Sequence, residues 1–273
     1  MNAALRPVHF VLYGVVLVWS LFVVMPLAWM LFASIKTKRE IFTDPLGLPE
    51  RLSLDAFARA FNAGIGTFMF NSLVVTAMSV GVIVFASGMA AYVLARTDGW
   101  LMRLIYLLFV VCFAVPVQAV LVSLYQLVSA AGLLNNHLAL VLPYAAYGIP
   151  FTTILFFAFF LDFPREIEEA ARLDGCSRMQ VFFRMIVPLS GPAVASAAIF
   201  QAVFIWNEFL LALMMLTRPS LKTLPVGIWQ LRGEYTSDWP AMMAALSVAT
   251  IPILAIFIFT QKYFVRSLAG LGK

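Results

Sequence analysis

The stretch that decides the fold reads PREIEEAARLDGCSRMQVFFRMIVP, from residue 164 to residue 188, and lies between two long apolar segments. Pro164 suits the first turn of a helix, where no amide donor is needed. The glutamates that follow place negative charge at the positive end of the helix dipole. We therefore predict a helix of about ten residues. Gly175 is expected to end it in the left-handed conformation that glycine adopts at low steric cost.

A second short helix is predicted after this glycine. Ser177 and Gln180 have the spacing of a capping box, in which each side chain bonds the backbone of the other residue. The helix should end before Pro188, because the residue preceding a proline disfavours the helical conformation. The result is a helix-turn-helix between two membrane segments.

One face of the first helix is predicted to be shallow and acidic at its tip. It gathers residues at the i, i+3, i+4 and i+7 positions, namely Ile167, Ala170, Ala171 and Asp174. Small side chains allow another surface to approach closely, so the face suits docking into a groove on a partner protein. An ordinary amphipathic surface loop is the alternative.

The spacing of this stretch resembles that of the cytoplasmic coupling loop of ABC importer permeases. That family has Glu-Ala-Ala, three residues, Gly, nine residues, an aliphatic residue, any residue, an aliphatic residue and Pro. Here Glu169-Ala170-Ala171 and Gly175 match, and residues 176–184 are the nine. Met185 and Val187 stand at the aliphatic positions, followed by Pro188. Met and Val replace the Ile and Leu that are more frequent there, which preserves the apolar character.

Composition indicates a polytopic, all-α membrane protein. Of 273 residues, 63% are hydrophobic and 11% charged, with a mean hydropathy of +0.97, which lies far outside the range of soluble proteins. A helix crosses a bilayer with roughly 20 apolar residues. We predict six spans in a single permease domain, residues 1–273, at about residues 9–33, 68–95, 101–125, 138–161, 192–216 and 241–264, with the polar loop at 162–188.

Further stretches carry the resemblance along the chain. They are similar to the second permease subunit of carbohydrate ABC importers, the group that contains the maltose system's shorter permease. The matching stretches are Asn71-Ser72-Leu73, Ala90-Ala91-Tyr92, Gly132-Leu133-Leu134-Asn135, Leu142-Pro143-Tyr144, Trp206-Asn207-Glu208-Phe209, Leu224-Pro225-Val226-Gly227 and residues 261–265.

The resemblance implies a type I ABC importer fold in the bacterial plasma or inner membrane. It also implies a second homologous permease, two ATP-binding subunits that carry ATP and Mg, and an extracytoplasmic solute-binding protein. With both termini in the cytoplasm, basic residues divide ten inside to eight outside, a weak positive-inside bias. The net charge of +5 fits contact with anionic lipid, and nothing indicates nucleic-acid binding.

ATPase coupling is the role that the resemblance implies for the polar loop. Glu169 is the candidate for a salt bridge to a basic groove residue, Ala170 and Ala171 for the close contact, Asp174 for the acidic tip and Gly175 for the turn. A solvated glutamate favoured by the helix dipole is the alternative for Glu169.

The fifth span is the predicted substrate path. Gln201, Phe204 and Glu208 are expected on one helical face with Asn207 beside them, and a carboxylate within a span implies a partner or a water-filled cavity. Polar groups beside aromatic rings suit a sugar, although Glu208 could equally form an internal ion pair or hydrogen bond. Gln118, near Pro116, is a further candidate.

Catalysis by this chain is not expected. The sequence contains no Gly-x-x-x-x-Gly-Lys-Ser/Thr loop, only two histidines, no predicted metal site and no nucleophile with a recognisable base. Sugar import driven by ATP on partner subunits is the leading hypothesis. Import of a polyol or glycerol 3-phosphate, or an ATP-independent carrier or channel, is the alternative. Residues 217–240 are expected to meet the binding protein or to form a lid.

Overall fold

The regular structure of this chain is helical throughout the described residues. The computed structural model describes residues 5–233 and 237–270, with side chains at residues 9–233 and 237–258. In chain order the helices are α1 (Leu5–Ala33), α2 (Lys38–Thr43), α3 (Asp55–Asn62), α4 (Ile65–Arg96), α5 (Trp100–Ala114), α6 (Val117–Ala130), α7 (Leu138–Leu161), α8 (Arg165–Leu173), α9 (Arg178–Val181), α10 (Val187–Leu189), α11 (Gly191–Trp206), α12 (Leu210–Met215), α13 (Leu224–Gln230) and α14 (Trp239–Gly270). Side chains of the predicted 261–265 match lie outside the described part.

Two compact units divide the described residues. The first contains residues up to 66 and those from 227 to 251, and the second contains residues 67–226 and those from 252 onward. In the first unit, α1 carries a candidate span at His9–Ala33 with a mean hydropathy of 2.4, and none of its apolar window is buried within the chain. A helix that is apolar on all sides requires lipid or another protein around it.

Short helices and side-chain bonds order the segment after α1. Thr37 and Glu40 form a capping box at the start of α2, and Lys36 Nζ donates to the carbonyl oxygen of Asp44 over 2.9 Å. At α3, Arg59 pairs with Asp238 over 2.7 Å. The segment between α1 and α4 is therefore partly helical.

Spans occur in continuous and bent forms. Among the described residues, four helices are long and apolar enough to cross a membrane by themselves, and two bent pairs bring the number to six if each pair is one span. The pair α5 and α6 bends by 97°, and the pair formed by residues 178–189 and 191–206 bends by 76°. Pro116 explains the first bend because it lacks an amide donor and forces Val115 into an extended conformation, with ψ at 119°.

The second unit has two buried clusters. One surrounds Leu140 and Met215, where α7 packs against α12. The other brings Phe156 and Phe160 of α7 together with Phe182 and Ile186 from the segment after α9. The polar loop between α7 and α11 is thus anchored to the spans by its own apolar residues.

Candidate functional site: the coupling loop and the broken fifth span

The first helix of the loop forms as its sequence predicts. α8 runs for nine residues, from Arg165 to Leu173, and Gly175 adopts a positive φ of 86°. The amide of Gly175 donates to the carbonyl of Arg172, and that of Cys176 donates to the carbonyl of Ala171, each over 3.0 Å. These two bonds form a Schellman motif, which satisfies carbonyls at the helix end.

The second helix begins as predicted but extends further. Ser177 and Gln180 form both bonds of the capping box. The helix does not end before Pro188: a π-helical turn, Phe182–Ile186, leads into α10, which ends at Leu189. The expected end was wrong because the wider π turn moves the carbonyls away from the proline ring, which would clash within a regular α-helix.

Glu168 is the buried member of the glutamate cluster, and sequence reasoning missed it. Its side chain is 3% exposed, and Arg96 Nε donates to its Oε1 over 2.6 Å. Tyr92 Oη donates to its Oε2 over 2.9 Å, and Arg172 lies 3.7 Å from the same oxygen. A single arginine at the end of the second span was the available signal, since a charge at that depth requires a partner.

The two alanines differ in exposure. Ala171 is buried in the cluster around Phe156 and Phe160, whereas Ala170 is exposed. Only part of the predicted face is open to a partner, because Ala171 is buried and turns toward the spans together with Glu168. The outward face consists of Glu166, Glu169, Ala170, Leu173 and Asp174, all exposed.

Leu173 is the unexpected member of this outward face. Its side chain is 89% exposed at the last turn of α8. An exposed apolar side chain that shares a helix face with carboxylates offers a partner both a hydrophobic contact and charges to pair. The exposed face can therefore bind a groove with an apolar floor and basic rim.

Gln201 and Phe204 lie beside a small aromatic cavity in the second unit. The cavity is about 200 Å³ and is lined by Phe113, Val115, Val117, Tyr147, Gly148, Phe151, Phe200, Gln201 and Phe204. Gln201 is buried, and its Nε2 donates to Thr152 Oγ1 over 2.9 Å and to the Gly148 carbonyl over 3.2 Å. The amide oxygen of Gln201 remains available as an acceptor. Gln118 is exposed on α6 and is not among the lining residues.

The predicted single helical face from Gln201 to Glu208 is wrong, because α11 ends at Trp206 and a new helix begins at Leu210. Glu208 lies in the break. Its carboxylate accepts bonds from the Leu211 and Ala212 amides over 2.9 and 3.2 Å and from Tyr144 Oη over 2.5 Å.

Glu208 therefore caps the short helix α12. Its hydrogen bonds are internal to the chain, as one of the two alternatives for this residue predicted. Asn207 is exposed beside it and donates to the carbonyl of Val203 over 2.7 Å. Of the predicted path residues, Gln201 and Phe204 share a cavity, while Asn207, Glu208 and Gln118 lie elsewhere in the second unit.

The start of the 217–240 segment is held by two asparagine side chains. Asn135 accepts bonds from the backbone amides of Thr217 and Arg218 through Oδ1, each over 2.8 Å. Asn71 Nδ2 donates to the carbonyls of Ser220 and Lys222. Residues 234–236 lie outside the described part of the chain.

Comparison with known proteins places these features in a family. A family model described as binding-protein-dependent transport system inner membrane component matches residues 83–270. The probable ABC transporter permease protein YurM of Bacillus subtilis strain 168 is 39% identical over 245 residues, which are 90% of this chain and 82% of that protein. The sulfoquinovosyl glycerol transport system permease protein SmoH of Agrobacterium fabrum is 36% identical over 269 residues, which are 98% of this chain and 93% of that protein.

A solved structure shows the same fold. It is a bacterial ABC transporter involved in the import of the acidic polysaccharide alginate, with a TM-score of 0.80 at 20% identity over 97% of this chain and 99% of that one. The fold is thus that of a type I ABC importer permease. Because the family model covers most of the chain and the relatives cover nearly all of it, this multi-pass protein belongs to the inner-membrane components of binding-protein-dependent transport systems, the permeases of ABC transporters.

Proposed function

We propose that this chain is a non-catalytic permease subunit of an ATP-driven sugar importer. It forms half of the translocation pathway and receives the motion of a separate ATPase through α8. The observation that carries this proposal is the division of α8 into a buried side, with Glu168 and Ala171, and an exposed side, with Glu169 and Leu173. One side attaches the helix to the spans, and the other is available to a partner.

The proposed assembly contains a second homologous permease, two ATP-binding subunits and an extracytoplasmic solute-binding protein. ATP and Mg would be held by the ATP-binding subunits, since this sequence has no phosphate-binding loop. Closure of the ATPase dimer would move α8 and rock the spans between inward-open and outward-open packings.

A sugar is the proposed cargo. The aromatic cavity beside Gln201 combines ring faces with an amide, and a sugar presents apolar faces together with rim hydroxyls. One relative, SmoH, is named as a permease of a sulfoquinovosyl glycerol transport system, and sulfoquinovosyl glycerol is a sugar glycoside. A polyol or glycerol 3-phosphate remains the second candidate, because a small polar solute would also fit about 200 Å³.

The coupling role is tested by the charge reversal Glu169→Lys. Placing a cation against a basic groove costs several kcal/mol, so ATPase subunit recovered with the tagged chain should fall at least about tenfold. Asp162→Lys is the matched control, because Asp162 is an exposed carboxylate of the same loop outside α8. Quantitative mass spectrometry of complexes from native membranes measures the effect. Equal recovery of the ATPase in both variants would remove the proposed role of Glu169.

Cargo and energy source are tested in liposomes. Uptake of labelled sugar should require the partner subunits and internal ATP. Uptake by this chain alone would favour the carrier or channel. Thermal stabilisation of the cognate binding protein by sugars, polyols or glycerol 3-phosphate identifies the solute class.

A further inference from the structure

Arg96 joins three helix ends at one point. It is the last residue of α4, and its side chain is 9% exposed. Its Nε bonds Glu168 in the first turn of α8, while its Nη1 donates to the Phe160 carbonyl over 2.7 Å and its Nη2 to the Phe163 carbonyl over 3.2 Å. One guanidinium therefore holds the end of α4, the end of α7 and the start of α8 together.

Each contact has a physical reason to be strong. The Phe160 carbonyl lies at the end of α7 and the Phe163 carbonyl just after it, where the negative end of the helix dipole favours a cation. The carboxylate of Glu168 is desolvated, so the charge-assisted bond to Arg96 lies in a low-dielectric setting. Only arginine offers donors in a fixed fork that reaches three acceptors at once.

Tyr92 extends the junction by one turn along α4. Its hydroxyl bonds the second oxygen of Glu168, and its ring lies 5.1 Å from that of Phe182, in the segment after α9. The two helices of the loop are thus fixed to α4 through neighbouring contacts. Both carboxylate oxygens of Glu168 accept hydrogen bonds from residues of α4. Rotation of α8 relative to α4 would have to break both bonds.

We propose that Arg96, with Glu168, is a rigid joint that makes α8 move as one body with the ends of α4 and α7. The inference deepens the proposed function and rests on it for its role in transport. Arg96 is a positioning residue in this scheme: it touches neither solute nor nucleotide, and it passes the displacement of α8 directly to the second and fourth spans.

Spin labels at two exposed sites test the joint in nanodiscs. In a background with Cys112→Ala and Cys176→Ser, Asp98→Cys follows the end of α4, and Arg165→Cys, which lies outside the outward face, reports the start of α8. The distance distribution between these labels should be narrow in the unaltered joint. Arg96→Gln should broaden it, and Arg96→Lys should broaden it less, because lysine keeps the charge without the fork. Arg103→Gln is the control: an exposed arginine on α5 whose loss should leave the distribution unchanged.

The same samples, assembled with the ATPase, give the functional measurement. Trapping with Mg-ATP and vanadate should leave the distance unchanged in the unaltered joint. Arg96→Gln should lower the solute transported per ATP hydrolysed by about tenfold or more, while ATP hydrolysis continues. A role in stability alone would lower both in proportion to the folded complex.

Two results would contradict the proposal that Arg96 and Glu168 form a rigid joint. One is a narrow distribution in Arg96→Gln; the other is a distance that changes on vanadate trapping with Arg96 intact. If the chain alone gives the narrow and broadened distributions but binds no ATPase, the joint stands and the proposed function fails.

Discussion

At the scale of single residues, neighbouring side chains of one type have different tasks. Glu168 is buried and paired, whereas Glu169 is exposed. The sequence identifies both as acidic residues in the first turns of a helix. It does not indicate which one faces the spans, because that depends on how α8 is rotated against Tyr92 and Arg96, more than 70 positions away.

Glu208 should stabilise the break in the fifth span. Replacing it with alanine leaves the amides of Leu211 and Ala212 without their acceptor, and we expect the free energy of unfolding to fall by about 1–2 kcal/mol. Glu208→Gln, which retains one carbonyl acceptor, should lose less. Thermal unfolding of the purified chain in detergent measures both. An unchanged melting temperature with lost transport would instead make Glu208 a solute contact.

Asp238 should make the first unit slightly acid-sensitive. The hydrogen bond from Arg59 lowers the pKa of Asp238 below its ordinary value of 3.8. Because the folded pKa is lower than the unfolded one, the stabilisation is present above the unfolded pKa and is lost as the pH falls through the folded one. The pair is partly exposed, so we expect the loss to stay below about 1 kcal/mol below pH ~4. The test is the fall in melting temperature between pH 7 and pH 3.5, which should be larger in the unaltered chain than in Arg59→Gln. An equal fall in both proteins would contradict the prediction.

At the scale of elements, local signals in the sequence were sufficient where local physics decides the structure. The proline before α8, Gly175 and the Ser177 capping box mark helix ends, and the structure confirms them. Pro116 likewise accounts for the bend between α5 and α6. The break at residues 207–209 contains neither proline nor glycine, and its Glu208 accepts a hydrogen bond from the distant hydroxyl of Tyr144. Sequence pattern alone could not reveal it.

Gly148 should be required where α7 meets α4. A Cβ at this position would lie 2.4 Å from Ile83 Cδ1 and 3.1 Å from the amide oxygen of Gln201. We expect Gly148→Ala to destabilise the fold by about 1–3 kcal/mol. Adding Ile83→Val, which removes the closest methyl group, should recover part of the loss. Thermal unfolding of both variants tests this, with Gly81→Ala as control because open space surrounds that glycine. Additive losses would contradict the steric explanation.

At the scale of the whole molecule, the structure and the family agree on a multi-pass permease. The apolar window of α1 has no buried residue within the chain. Composition predicted a membrane protein, because the share of apolar residues in the whole chain reflects the lipid that surrounds it. The identity of the solute depends on a few side chains, and composition carries no information about them.

The two cysteines offer a test of membrane orientation. Cys176 follows α8 and should react with a membrane-impermeant maleimide in inside-out vesicles but not in right-side-out ones, since the loop is assigned to the cytoplasm. Cys112 lies on α5 within the third span and should resist the reagent in both. Labelling of Cys176→Ser and Cys112→Ser variants assigns each signal. Reaction of Cys176 in right-side-out vesicles would reverse the assigned topology.

The π turn at Phe182–Ile186 has a consequence for how this loop tolerates insertions and deletions. A π turn holds one more residue than an α turn, so the sequence between Gly175 and Pro188 contains a residue that a regular helix would not need. Deleting one residue there could restore α-helical bonding, yet each residue turns a helix by about 100°. Phe182 and Ile186 would then leave their buried cluster. The segment should therefore tolerate substitutions of similar size better than insertions or deletions, because only a change of length rotates the following residues.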